Sequence, residues 1–170
     1  MDKKPTFIEV CSGAGGLSTG FINAGFNCLL LNEIDSDFCK TLRKNHEGVP
    51  ISEKSIENLD LKKHKGSLDV LAGGIPCQSF SLAGKRKGLT DSRGKLVYEF
   101  NRLLKETEPK VFMVENVKGI LSHNKGQTIN DIIELFSNGG LYKIIYQVVN
   151  SKDYRVPQKR ERVIIIGVRK

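Results

Sequence analysis

Apolar residues occur in short runs separated by amphipathic stretches, and this alternation predicts an α/β domain. The run over residues 6–11 (TFIEVC) predicts a first strand, followed by the glycine-rich turn Ser12-Gly13-Ala14-Gly15-Gly16. Residues 17–24 then read as a helix that Gly25 ends. A second strand is predicted over 26–32 and a helix over 35–45, capped by Asp35 or Ser36. A weaker third strand falls near 50–56, and a continuous apolar strand covers 68–73. Leu96, Phe100, Leu103 and Leu104 lie at helical spacing over 96–106, closed by Pro109. Residues 111–115 read as a buried strand. Ile129, Ile132, Ile133 and Phe136 then form a helical stripe that Asn138-Gly139-Gly140 terminates. Two closing strands are predicted over 142–150 and 163–168. The order implies a mostly parallel sheet with helices on both faces. The last two strands leave no room for a long crossover helix, so antiparallel pairing at one edge is expected.

The polar residues that interrupt this pattern stand at strand ends, where an open α/β sheet presents its chemistry. The strand over 68–73 runs into Gly74-Ile75-Pro76-Cys77-Gln78-Ser79, which places one thiol on a stiff loop. The glycine turn lets backbone approach a ligand at a helix N-terminus. It lacks the dinucleotide spacing, because Ser18 holds the third glycine position, and no Lys-Ser/Thr pair makes it a nucleotide P-loop. Glu33, at the end of the second strand, is placed to hold ribose hydroxyls; the plain alternative is a solvated strand end. Turn and carboxylate together favour an adenosine-type cofactor without a triphosphate. Glu115 ends the strand over 111–115 on the same rim as Cys77; its plain alternative is an ion pair with a basic neighbour.

A length of 170 residues suits one domain, and 39% hydrophobic with 27% charged residues suits a folded, soluble chain. No apolar stretch is long enough to span a bilayer, and the start Met1-Asp2-Lys3-Lys4-Pro5 leads into no secretory signal, so a cytoplasmic or otherwise intracellular setting is expected. The net charge of +8 favours a polyanionic partner. It is concentrated in Lys85-Arg86-Lys87 with Arg93 and Lys95, and in Lys152, Arg155, Lys159, Arg160 and Arg162, two clusters that flank the thiol loop. Cys11, Cys28 and Cys39 read as small buried hydrophobes, and the scattered His46, His64 and His123 offer no metal-ligand set.

In their order, SGAGG, Asn32-Glu33, GGIPCQSFS, ENVKG and QKRERVIIIG resemble the DNA cytosine-5 methyltransferases over essentially the whole chain. The resemblance implies a Rossmann-like fold, S-adenosylmethionine as cofactor and a cytosine flipped out of double-stranded DNA, with RNA as the alternative substrate. Restriction-modification is the family's usual setting. By the same resemblance Cys77 is the nucleophile toward cytosine carbon-6, Glu115 protonates or hydrogen-bonds ring nitrogen 3, and Arg162 contacts the base near its carbonyl oxygen. Arg160 supports the site or contacts phosphate. Asn116 orients the thiol loop, Pro76 stiffens it, and Gln78, Ser81 and residues 84–94 match the loop that closes on DNA. The cofactor residues carried over are Cys11, Ser12, Gly13, Ala14, Gly15, Gly16, Leu17, Glu33, Ile34, Ser55, Ile56, Gly74, Pro76 and Leu96. Four of these positions or their neighbours depart from the family pattern: Cys11 for Phe, Glu9 for Asp, Ile34 for an aromatic and Ser55 for Asp. The family's target-recognition domain and C-terminal motifs have no counterpart in 1–170, so a second subunit or a C-terminal half is the expected partner. A non-catalytic remnant that binds DNA or a partner is the rival reading.

Overall fold

The structure is a computed structural model that describes residues 4–75 and 92–170, without the side chains of 92 and 93. Seven strands form one sheet in the order β3-β2-β1-β4-β5-β7-β6. In chain order they are β1 (Thr6–Val10), β2 (Asn27–Asn32), β3 (Ile51–Ser52), β4 (Val70–Gly73), β5 (Val111–Val117), β6 (Tyr142–Asn150) and β7 (Glu161–Arg169). The helices are α1 (Gly16–Asn23), α2 (Ser36–Asn45), α3 (Ser92–Thr107) and α4 (Gln127–Ser137). Strands β1 to β5 pair in parallel, while β7 pairs antiparallel with both β5 and β6. The expected antiparallel pair is present, with β7 inserted between β5 and β6.

Central strands buried on both faces are mainly apolar, which is why β1, with only Thr6 and Glu9 polar, and β4 read as runs rather than alternations. One face packs Ile8, Val10, Leu71, Phe112, Val114, Val163 and Ile165 against apolar residues of α3 and α4. At its centre the rings of Phe100, Phe112, Phe136 and Tyr142 pack edge-on or tilted, with centroids 5.2–6.3 Å apart. Each such pair adds about 1 kcal/mol beyond its buried area. The other face packs Phe7, Leu31, Val70 and Ala72 against Leu17, Phe21 and Ile22 of α1 and Leu42 of α2.

That second face is covered unevenly. The register aligns Met113, Ile166 and Ile145 in one row across β5, β7 and β6, and sets Val168 opposite Val111. Ile145 is 61% and Val168 48% exposed, and Ile164 and Ile166 belong to neither core cluster of the described residues.

One helix starts earlier than expected. Helix α3 begins at Ser92 instead of 96, so Gly94, expected in a loop, lies inside it. A 16-residue helix packed along Val97, Phe100, Leu103 and Leu104 absorbs the roughly 1 kcal/mol that an interior glycine costs. Helix α2 resolves the choice of cap: Asp35 accepts from the backbone of Asp37 (2.9 Å) and Phe38 (3.1 Å). No described helix is long and apolar enough to cross a membrane.

Candidate active site

Strand order reverses between β1 and β4, and the ends of these two strands and of their neighbours β2 and β5 bring the site residues to one rim. After β1, Cys11 (φ 53°), Gly13 (φ 54°) and Gly15 (φ 88°) turn left-handed, folding the chain sharply into α1. At Gly15 only glycine fits: a Cβ would lie 2.5 Å from His46 Nε2 and 2.8 Å from Leu42 Cδ2. Gly13 and Gly16 instead face space open among the described residues, with none of them within 4 Å of the Cβ each lacks. Helix α1 has no side-chain cap, so its first N–H groups stand at this opening. Ala14 is exposed and Ser12 buried; the Ser12 backbone N–H donates to the Asn32 carbonyl (3.0 Å), and its hydroxyl donates to the Glu9 carbonyl (3.2 Å).

Glu33 does more than a solvated strand end would. Its Oε2 accepts the Gly13 N–H (2.7 Å), and its Oε1 accepts those of Ile34 (2.8 Å) and Asp35 (3.0 Å). The carboxylate therefore staples the glycine turn to the tip of β2. Ile34 beside it is 67% exposed, an apolar surface at the mouth of the turn. The buried Asn32 amide donates to the carbonyls of Ser52 (3.2 Å) and Lys54 (2.7 Å) and so draws the Ser55 segment to the same rim. The sequence reading missed that tie. Ser55 caps the short 3-10 turn Ile56–Asn58, and Ile56 is 3% exposed within the first core, leaving only its backbone for a ligand. Leu17 packs into the second core and Leu96 against the first. Open backbone above Gly13 and Gly16, a carboxylate and an exposed apolar residue fit a ligand with hydroxyls and a flat apolar ring.

On β5, Glu115 Oε1 meets Arg162 Nε at 2.8 Å and Arg160 Nη2 at 3.9 Å, so it is the ion-paired carboxylate that the plain alternative described. Arg162 is 22% exposed and also donates to the Glu161 carbonyl (2.8 Å). Asn116 is buried, and its Nδ2 donates to the Ile75 carbonyl at 2.6 Å, anchoring the last described residue before the thiol loop. A Cβ on Gly74 would lie 3.7 Å from the Cys11 carbonyl and 4.0 Å from Glu115 Oε2, so Gly74 joins the glycine turn to the carboxylate. Pro76, Cys77, Gln78 and Ser81 lie outside the described residues. Burial pushes the thiols of Cys11 and Cys28 up to about 12 and that of Cys39 upward, which makes all three inert, as their reading as small hydrophobes implies.

A Rossmann-like sheet with one inserted antiparallel strand, an open glycine turn at the switch point and a carboxylate on the next rim position define a methyltransferase-type α/β domain. The family model for C-5 cytosine-specific DNA methylases matches residues 5–170, and the chain belongs to that family. It is 46% identical over 164 residues to the type II methyltransferase M.Eco47II of Escherichia coli, covering 96% of this chain and 39% of the relative. With M.AquIA of Picosynechococcus it shares 43% over 183 residues, covering 99% of this chain and 73% of the relative. Among solved structures, a DNA modification methyltransferase encoded in an E. coli prophage superposes with a TM-score of 0.82 at 33% identity, covering 98% of this chain and 47% of that one. The chain thus spans about two fifths of the length of M.Eco47II.

Proposed function

We propose that residues 1–170 are the catalytic portion of a DNA (cytosine-5-)-methyltransferase acting through Cys77. The observation that carries this is the carboxylate Glu115, clamped by Arg162 and set beside an open glycine turn, on the strand next to the one that leads into Pro76-Cys77. Bound at Gly13–Gly16, Glu33 and Ile34, S-adenosylmethionine would supply an electrophilic methyl group. Cytosine carbon-5 is a poor nucleophile until the Cys77 thiolate adds to carbon-6 and moves electron density toward carbon-5. Glu115 holds a proton at ring nitrogen 3, where charge develops, and Arg162 fixes that carboxyl and reaches the base. When carbon-5 later loses its proton, the bond to Cys77 breaks and the thiolate is restored. Pro76 and Gln78 shape the thiol loop, and Arg160, half exposed, meets a phosphate or the Glu115 carboxyl.

The partner is the family's remaining length, as a C-terminal half or a second subunit that carries target recognition. Exposed Ile145 and Val168, on the same face as part-buried Ile164 and Ile166, support this. Three strands are about 10 Å wide, the diameter of one helix, and a sheet face is stable when covered.

Duplex DNA containing 5-fluorocytosine tests the reading, because fluorine at carbon-5 blocks the final elimination. With S-adenosylmethionine and the C-terminal remainder of M.Eco47II supplied in trans, a covalent adduct is expected that Cys77→Ala abolishes. Absence of any Cys77-dependent adduct, on DNA and on an RNA control, with or without the added part, defeats the proposal. An adduct on RNA alone moves the substrate to RNA.

A further inference from the structure

Beneath the glycine turn lies a carboxyl that the mechanism above does not use. Glu9 sits in β1, which is paired on both sides by β2 and β4, and is 2% exposed. By strand alternation it shares the face of Phe7, under α1. Ser18, in the first turn of α1 and fully buried, lies against it and favours its charged form, while the Ser18 hydroxyl donates to the Gly15 carbonyl (3.1 Å). Helix α1 needs such a group, because its cap residue is Gly15 and brings no side-chain acceptor. The second carboxyl oxygen, Oε2, has no hydrogen-bond partner among the described residues. Among the described residues, the titratable groups around it are Glu33 at the end of β2, the thiols of Cys11 and Cys28, and His46 across Ser18, whose Nε2 lies 3.5 Å from the Ser18 hydroxyl. None of these is a lysine or an arginine.

We propose that Glu9 is a positioning residue of the glycine turn, standing protonated beneath Ser18 and holding the first turn of α1 in the shape that receives the cofactor. This rests on the assignment of that turn to S-adenosylmethionine. A carboxylate that is buried, unpaired and close to a second carboxylate loses its hydration without compensation. Burial first, and Glu33 second, push Glu9 from the ordinary 4.5 up to about 8. Once ionised, it reaches water only if Ser18 and the start of α1 lift away, which dismantles the cradle. The binding-competent fraction, and with it the apparent affinity, then falls as pH rises past that value.

The sign for stability follows from the raised folded value. The contribution of Glu9 is complete below the ordinary carboxyl pKa and is lost as pH rises through about 8. Glu9→Gln keeps the shape of the neutral acid and removes the titration. Two measurements on the full chain test the proposal: calorimetric titration with S-adenosylhomocysteine at pH 7 and pH 9, and thermal unfolding between pH 5 and 8. Relative to Glu9→Gln, the parent should bind about tenfold more weakly at pH 9 than at pH 7. Its unfolding constant should grow, relative to the variant, by up to about tenfold per pH unit across the unfolding series. Identical pH dependence in the two proteins overturns the proposal, as does loss of affinity by Glu9→Gln at pH 7. If neither protein binds the nucleoside at any pH, the cofactor assignment fails while the unfolding series still decides the state of Glu9.

Discussion

Gly15 and Gly16 are adjacent in sequence, yet the structure gives them different tasks, and one pair of alanine substitutions separates these. Gly15 has φ 88°, and a methyl there meets His46 Nε2 at 2.5 Å and Leu42 Cδ2 at 2.8 Å. The left-handed backbone costs an alanine about 1–2 kcal/mol, and forcing a methyl into packed side chains costs about 1–3 kcal/mol more. Gly15→Ala is therefore expected to lose about 2–5 kcal/mol, which lowers Tm by roughly 5–20 °C in a domain of this size. Gly16 is the first residue of α1, carries no positive φ and has none of the described residues within 4 Å of its missing Cβ. Gly16→Ala should leave Tm within about 2 °C of the parent, since alanine is the better helix former. Its methyl would occupy the opening above the turn, so affinity for S-adenosylhomocysteine should fall at least tenfold. Circular dichroism melts and calorimetric titration read the two effects separately. If both variants melt like the parent, or if Gly16→Ala melts as low as Gly15→Ala, the division between packing glycine and cradle glycine is wrong.

Gly167 stands opposite Phe112 across β5 and β7, and a Cβ there would fall inside the Phe112 ring. Gly167→Ala should cost about 1–3 kcal/mol, measured by urea unfolding; a neutral result would mean that the ring is free to move. Asp69 accepts from Lys110 Nζ (2.7 Å) and from the Thr6 backbone N–H (2.7 Å), which together hold its carboxyl below the ordinary 3.8. Its stabilisation is present above that value and is lost as pH falls through the depressed one, so Asp69→Asn should flatten the acid limb of a stability-versus-pH curve. An unchanged acid limb would remove Asp69 from the linkage.

Strand and helix identity was legible wherever burial is continuous or one-sided, as in 6–11, 68–73 and the stripe of Ile129, Ile132 and Phe136. Boundaries set by partners were not. Strand β5 continues through Asn116 and Val117, and β7 begins at Glu161, because their partners extend them: Asn116 pairs with Val163, Val117 with Arg162, and Glu161 with Asn150 of β6. No local pattern encodes that pairing. Glu9 was visible as a departure, but its burial was not, since a lone acid inside TFIEV reads equally well as an exposed position on a strand. The tie from Glu33 to Gly13 was hidden for a similar reason: a strand-end carboxylate can face solvent, ligand or backbone, and only the fold of the turn selects backbone. The signal available for it was the shortness of the link from β1 through five turn residues into α1, which leaves N–H groups in need of an acceptor.

The pairing that the sequence could not show is also what builds the carboxylate site. Glu115 lies opposite Ile164, and Arg162 reaches it diagonally from two residues along β7 on the same face. A slip of one residue between β5 and β7 would send Arg162 to the far face and leave Glu115 without its 2.8 Å partner. What forbids the slip sits on that far face, five pairs away: Phe112 faces Gly167, and a shift in either direction would set Ile166 or Val168 against a ring already packed among Phe100, Phe136 and Tyr142. The apolar core on one side of the sheet thus fixes the register that delivers the arginine on the other. Substitutions at Gly167 or Phe112 are therefore expected to disturb the Glu115–Arg162 pair as well as stability.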